Sequence, residues 1–153
     1  MPTLIFPPSG GTLSPYLIGT WEVANGLETT IHLENPTSRL LPYKIVFFDS
    51  GGNPLACARR RVPHNGLDVV QCSQYVQPGT GVVKIIIYDG DNWETVQSGL
   101  VGYQKKTRNR WYFGWPFIFF NRLYSETEAP LFQIPYEVLE DGELAIINAL
   151  PCN

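Results

Sequence analysis

Two histidines, three cysteines and 14 acidic residues are the groups in this sequence that could carry out chemistry. His32 falls in a stretch with strand character, and His64 falls in the turn Pro63-His64-Asn65-Gly66. A Ser-His-Asp arrangement needs an imidazole that touches a nucleophile and is itself oriented by an acid. The sequence has no GxSxG elbow and no cysteine in a known nucleophile context, so both histidines read as structural or solvated. The cluster Asp89-Gly90-Asp91-Asn92-Trp93-Glu94 offers only three carboxylates and lacks EF-hand spacing. Calcium takes about six to eight oxygens, so the cluster reads as a hairpin turn. Glycoside hydrolysis would need two carboxylates flanking a cleft, and no acidic pair is singled out. Ser9-Gly10-Gly11-Thr12 is followed by neither Lys-Ser/Thr nor a helix, so it is no phosphate cradle. The expectation is a non-enzymatic protein with no catalytic residue, no metal and no cofactor.

Cys57, Cys72 and Cys152 form no CxxC pair and no Cys/His cluster of the kind zinc requires. An odd count argues against a disulfide-stapled secreted scaffold. Cys57 and Cys72 lie on consecutive expected strands and could face each other. Both read as small buried apolar residues in preference to a disulfide.

The unusual segment is Lys105-Lys106-Thr107-Arg108-Asn109-Arg110 followed by Trp111-Tyr112-Phe113-Gly114-Trp115-Pro116-Phe117-Ile118-Phe119-Phe120. Four cations precede seven aromatics. Three readings compete. In the first, Phe113, Phe117 and Phe119 enter a core and the cations occupy a solvated turn. In the second, the segment is an oligomer or partner interface, where Trp, Tyr, Phe and Arg are enriched. In the third it inserts at a membrane surface, since Trp beside Lys/Arg suits a headgroup boundary. Alternation leaves both faces of this strand apolar, and Pro116 cannot donate to a ladder, which places the strand at an edge or breaks it there. An apolar edge needs a cap. The interface residues expected on this argument are Trp111, Tyr112, Phe113, Trp115, Phe117 and Phe119, with Arg108 and Arg110. The alternative is a carbohydrate-binding module that stacks sugars on Trp93, Trp111, Tyr112 and Trp115. Arg59-Arg60-Arg61 is a second basic group. On a strand Arg59 and Arg61 share one face, which reads as solvated.

Strand-like stretches must position these residues. They run over 18–24, 27–34, 43–48, 55–62, 67–74, 81–88, 94–103, 110–120, 131–134 and 143–149, separated by turn chemistry such as Asn25-Gly26 and Asp49-Ser50-Gly51-Gly52-Asn53-Pro54. The β-branched run Val82-Val83-Lys84-Ile85-Ile86-Ile87-Tyr88 suits a central strand. Residues 135–139 suit a single helical turn, and no dozen-residue window has helical periodicity. The expected fold is an all-β antiparallel sandwich of the jelly-roll kind, with eight to ten short strands and little or no helix. Residues 1–15, rich in Pro and Gly, form an extended arm, and residues 16–153 form one domain.

Composition agrees with a packed globule. Apolar residues make up 44% of the 153, and charged residues only 16%. With 20 aromatics (four Trp, eight Tyr and eight Phe), that charge deficit implies surface turned toward a partner rather than water. The net charge of −3 gives no global basic field for nucleic acid. No apolar stretch reaches the length of a spanning helix, and residues 1–20 lack a basic region followed by an apolar one, which favours a cytoplasmic location.

Thr29-Thr30-Ile31-His32-Leu33-Glu34-Asn35-Pro36 is followed by Ile45-Val46-Phe47-Phe48-Asp49-Ser50-Gly51-Gly52-Asn53-Pro54-Leu55, then Arg61-Val62-Pro63-His64-Asn65-Gly66-Leu67-Asp68 and Gly81-Val82-Val83-Lys84-Ile85. This order of strand, NP turn, FFDxxGxP hairpin, VPxxxxxD and glycine-led strand resembles the sensory rhodopsin transducer family, a bacterial β-sandwich. Residues 121–129 are similar to a short segment late in that family. The resemblance implies a small oligomeric β-sandwich that acts by protein contacts, and it carries over no functional residue. The Pro-rich arm and the aromatics after Tyr103 depart from it. The working expectation is a self-associating structural or adaptor component, such as an assembly, filament or virion subunit, partnered by copies of itself and by another protein.

Overall fold

A computed structural model describes residues 15–89, 92–96, 99–114, 119–134 and 141–152. Among the described residues the regular structure is ten strands, one α-helix and a short 3-10 turn: β1 (Tyr16–Val23), β2 (Leu27–Glu34), β3 (Leu41–Asp49), β4 (Pro54–Val62), β5 (Leu67–Gln71) followed by the 3-10 turn Cys72–Gln74, β6 (Gly79–Asp89), β7 (Asn92–Val96), β8 (Val101–Gly114), β9 (Phe119–Pro130), β10 (Phe132–Gln133) and α1 (Asp141–Ala149). They form an antiparallel β-sandwich. One sheet has the order β10-β1-β6-β3-β4, with β7 hairpinned on the end of β6, and the facing sheet has the order β5-β2-β8-β9.

The strands follow from period-two burial. Ile31 and Leu33 of β2 face the core with Thr29 between the same layers, while Thr30, His32 and Glu34 face outward. Trp21, Val23, Ile45, Phe47, Ile85 and Ile87 enter the same core from the larger sheet. Strand β6 lies between β1 and β3, as its β-branched run predicts. Its other face, with Ile86 and Tyr88, is buried as well, as is Val46 of β3. Helix α1 provides that second cover through Leu144 and Ile147.

Several turns bear out their chemistry. Gly26 adopts φ 79° where Ala24 and Leu27 exchange both main-chain hydrogen bonds at 3.0 Å. The strands on either side of this tight turn then part into opposite sheets, because each must bury its inward face against the other. Asp49 Oδ1 accepts from the amides of Gly51 and Asn53, both at 2.9 Å, and closes the β3–β4 turn. These bonds, those from Asn53 first, hold the Asp49 carboxyl below its usual range.

Four expectations are corrected. Residues 143–149 are helix, not strand. Ile146 is exposed while its neighbour Ile147 is buried, and Leu144 packs three residues before Ile147, which is helical spacing in a run too short to separate from a strand by eye. The expected strands 94–103 and 110–120 are redistributed among β7, β8 and β9. The cations 105–110 lie within β8 and not on a turn. Acidic partners allow this: Lys105 Nζ is 2.7 Å from Glu126 on the neighbouring β9, and Lys106 Nζ is 2.9 Å from Glu22 on β1 of the facing sheet. Last, Cys57 is disulfide-bonded to Cys152, while Cys72 is buried and free. The expected facing of Cys57 and Cys72 fails because β4 and β5 lie in different sheets, with Cys57 on the outer face beneath the C-terminal segment and Cys72 in the inter-sheet core. The turn expected over 135–139 falls outside the described residues.

Candidate interaction surface

Strand β8 is far longer than the strand it pairs with on one side. Its register with β2 ends at Leu27–Arg108, and the Asn109 amide then donates to Gly26 O at 2.5 Å. Its register with β9 continues through six further pairs, from Asn109–Tyr124 to Gly114–Phe119. Past Arg108 the sheet is thus a two-stranded ribbon, which runs for about 20 Å at the usual strand rise. The register sets Trp111 opposite Arg122, Tyr112 opposite Asn121 and Phe113 opposite Phe120. Residues 108–125 hold Arg108, Arg110 and Arg122 and no acidic residue. Three of the chain's 11 cations therefore sit on the ribbon, leaving eight against 14 acids elsewhere.

The expected interface residues map onto this ribbon to the extent the structure describes them. Arg108 is exposed at its base. Arg110, Trp111, Tyr112 and Phe113 are consecutive on β8, and Phe119 begins β9. Trp115 and Phe117 lie outside the described residues. Trp93 is on β7, which pairs with the Tyr88–Asp89 end of β6. That end is opposite the β1–β2 turn from which the ribbon departs, since Tyr16 pairs with Ile86 and Val23 with Gly79. Trp93 and the Trp111–Tyr112 pair therefore stand at opposite ends of the sandwich and do not form one stacking platform. Pro15, which precedes β1, is also at the end opposite the ribbon, its carbonyl accepting from the Ile87 amide at 3.0 Å.

The two outer faces of the sandwich differ. That of the larger sheet is covered by α1. That of the smaller sheet carries Leu67 and Val69 of β5 and Val101 of β8, which are 54%, 42% and 48% exposed. Between them His32 stacks on Tyr103, ring centroids 4.5 Å apart and planes within 6°. Alternation along β5 contains the signal for this patch, with Leu67, Val69 and Gln71 facing one way and Asp68 and Val70 the other, but it does not say which set faces water. His32 Nε2 is 3.0 Å from Thr30 Oγ1, and its buried Nδ1 has no hydrogen-bond partner. Burial first, and then the charge of Lys105, hold the imidazole below its usual pKa. The ring of this histidine stacks on Tyr103, and the hydrogen-bond partner described for it is the Thr30 hydroxyl. His64 is exposed in its turn.

Where the edges of β4 and β5 meet, Arg60 Nε and Nη2 each lie 2.8 Å from the carboxylate of Asp68, while Arg60 Nη1 donates to Tyr75 Oη at 2.9 Å. Tyr43 Oη donates to the same carboxylate at 2.5 Å. Burial raises the Asp68 carboxyl, but the bonds from Arg60 and Tyr43 outweigh it and leave it below the usual range. This fork ties the two sheets together and uses up both carboxylate oxygens, so it is structural. Arg59 and Arg61 are exposed on the opposite face of β4, as the alternation predicts. Asp89 pairs with Arg39 at 2.7 Å, and Asp91 of the same turn lies outside the described residues. Among the described residues, no three His, Cys, Asp or Glu side chains are grouped to hold a metal ion, and no helix is long and apolar enough to cross a membrane.

No protein-family model and no curated protein matches the chain. Among solved structures it is similar to the crystal structure of Thermotoga maritima 1070, with a TM-score of 0.54 and 9% identity over 78% of this chain and 93% of that one. At that identity the likeness shows the fold alone.

Proposed function

We propose that this protein is a non-enzymatic structural β-sandwich that assembles with copies of itself, the β8–β9 ribbon of one copy docking on the body of another. The observation that carries this reading is the overrun of β8 and β9 past Leu27, the first β2 residue, which takes the most aromatic part of the sequence beyond the pairing with β2. An isolated two-stranded ribbon is marginal in water, and aromatic residues on it gain by being covered. Charge selects the cover. The ribbon is wholly cationic, while the rest of the chain is strongly acidic, so a second copy is an electrostatically matched partner.

The ribbon leaves the sandwich at one end, so each copy can reach one neighbour and receive the ribbon of another. Such head-to-tail contacts close into rings or extend as filaments. The resemblance of residues 29–88 to an oligomeric bacterial β-sandwich family supports the same reading, as does the low charged fraction. A sugar-binding module is less well supported, because Trp93 is remote from Trp111 and Tyr112. The experiment is photo-crosslinking: a photoreactive residue at position 112 is expected to give covalent dimers mapping to acidic surface of a second copy. Purely intramolecular products would overturn the reading.

A further inference from the structure

We propose that the Cys57–Cys152 disulfide is a thiol–disulfide exchange site for a small carboxylate-bearing thiol, and that its opening unlatches helix α1 from the outer face of the larger sheet. This inference is independent of self-association.

The disulfide joins β4 to the segment just beyond α1, so it closes the C-terminal strap over the sheet. Both cysteines are only partly buried. Cys57 forms part of the wall of a pocket of about 440 Å³, together with Arg59, Arg60, Tyr75 and Pro151. A thiol entering there meets the sulfur of Cys57 beside Arg59, which shares its face of β4, while the Arg60 guanidinium is held by Asp68 and Tyr75. Cations stabilise an attacking thiolate and attract the carboxylates of its carrier. Cys72 takes no part: it is buried between the sheets, and burial pushes its thiol up to about 12.

The steps balance as follows. The thiolate of one small thiol attacks Sγ of Cys57, forming a mixed disulfide there. The Cys57–Cys152 bond breaks, and Cys152 leaves as a thiolate that takes up the proton released by the entering thiol. A second small thiol attacks the mixed disulfide at the small-molecule sulfur, releasing Cys57 as a thiol. Two small thiols are oxidised to one small disulfide, and one protein disulfide is reduced to two thiols. The leaving sulfur belongs to the segment after α1, so the covalent tie of that segment to β4 is lost. Beneath it lie Tyr16, Val46, Ile86 and Tyr88, an apolar patch that α1 covers when latched. The remaining polar holds on α1 among the described residues are non-covalent: Lys44 at its last carbonyls, the Lys84–Glu143 pair and the Tyr88 hydroxyl, which donates to Asn148 Oδ1.

The test treats the folded full chain with glutathione and follows two readouts, thiol alkylation by mass spectrometry and amide exchange of residues 143–150. Labelling of Cys57 and Cys152 without Cys72 is expected. Exchange in α1 should rise on the order of a hundredfold once the covalent closure of this short segment is lost, while β3 and β6 stay protected. Arg59→Ala should slow opening by glutathione several-fold and opening by mercaptoethanol, which has a thiolate but no carboxylate, by clearly less. Opening only with global unfolding, unchanged exchange in α1 after labelling, or an equal effect of Arg59→Ala on both thiols would each overturn the proposal.

Discussion

The ammonium of Lys44 lies 2.8 Å from the main-chain oxygen of Ile147, so a residue in the middle of a sheet face caps the C-terminal end of the helix lying on it. Lys44 is only 2% exposed, and the carbonyls of Asn148 and Leu150 also lie within 3.3 Å of the ammonium. Cations favour helix C-termini because the last carbonyls have no partner of their own. Lys44→Met keeps the stem and removes the donor. Losing a hydrogen bond to a charged group costs about 1.5–3 kcal/mol. For a domain of this size that lowers Tm by roughly 3–12 °C. Calorimetry checks the shift, and faster amide exchange confined to α1 checks its location.

The Arg60–Asp68 fork predicts a second loss. Asp68→Ala strands the guanidinium and the Tyr43 hydroxyl at the junction of the sheets, at a cost of about 2–3 kcal/mol, measurable by denaturant unfolding. Asp68→Asn should recover part of it, because Asn still accepts from Tyr43.

Much of this architecture is legible in the sequence. Asn25-Gly26, the Asp49–Asn53 turn and the run 82–88 each settle a local structure by themselves, and the two-sheet sandwich follows from their spacing. What misleads is where long-range partners override local chemistry. Lys105 and Lys106 read as turn residues until Glu126 on β9 and Glu22 on the facing sheet, both distant in sequence, are seen to pair with them. Residues 143–149 alternate well enough for a strand, and only the apolar outer face of β3 and β6 makes them a covering helix. The Cys57–Cys152 bond spans 95 residues, a pairing that no local spacing reveals. The aromatic segment is legible as unusual, but its extension as a ribbon depends on β2 beginning at Leu27, which the register alone establishes.

His32 predicts acid sensitivity. Its folded pKa is below the unfolded value of 6.5, so the unfolded chain binds the proton more readily. Its contribution is complete above pH 6.5 and is lost as pH falls from 6.5 through the lower folded value. A proton on Nδ1 would find no acceptor, which acts in the same direction. Thermal midpoints should fall over that window in the wild type and fall less in His32→Gln.

Gly81 predicts an intolerant position. A Cβ there would lie 1.8 Å from Phe48 O and 2.8 Å from the Trp21 indole nitrogen, which itself donates to Phe48 O at 2.9 Å. Gly81→Ala should separate β3 from β6 and cost more than about 3 kcal/mol. Loss of soluble folded protein on expression would show it.

The most direct test of the central claim is the native mass of the intact chain, by light scattering on a sizing column, compared with the double variant Trp111→Ser, Phe113→Ser. Self-association through the ribbon predicts a discrete oligomer or a filament for the intact chain, and a shift toward 17.2 kDa for the variant with its secondary structure retained. An intact chain that elutes as a 17.2 kDa monomer at all concentrations, or a variant that assembles as before, would contradict it.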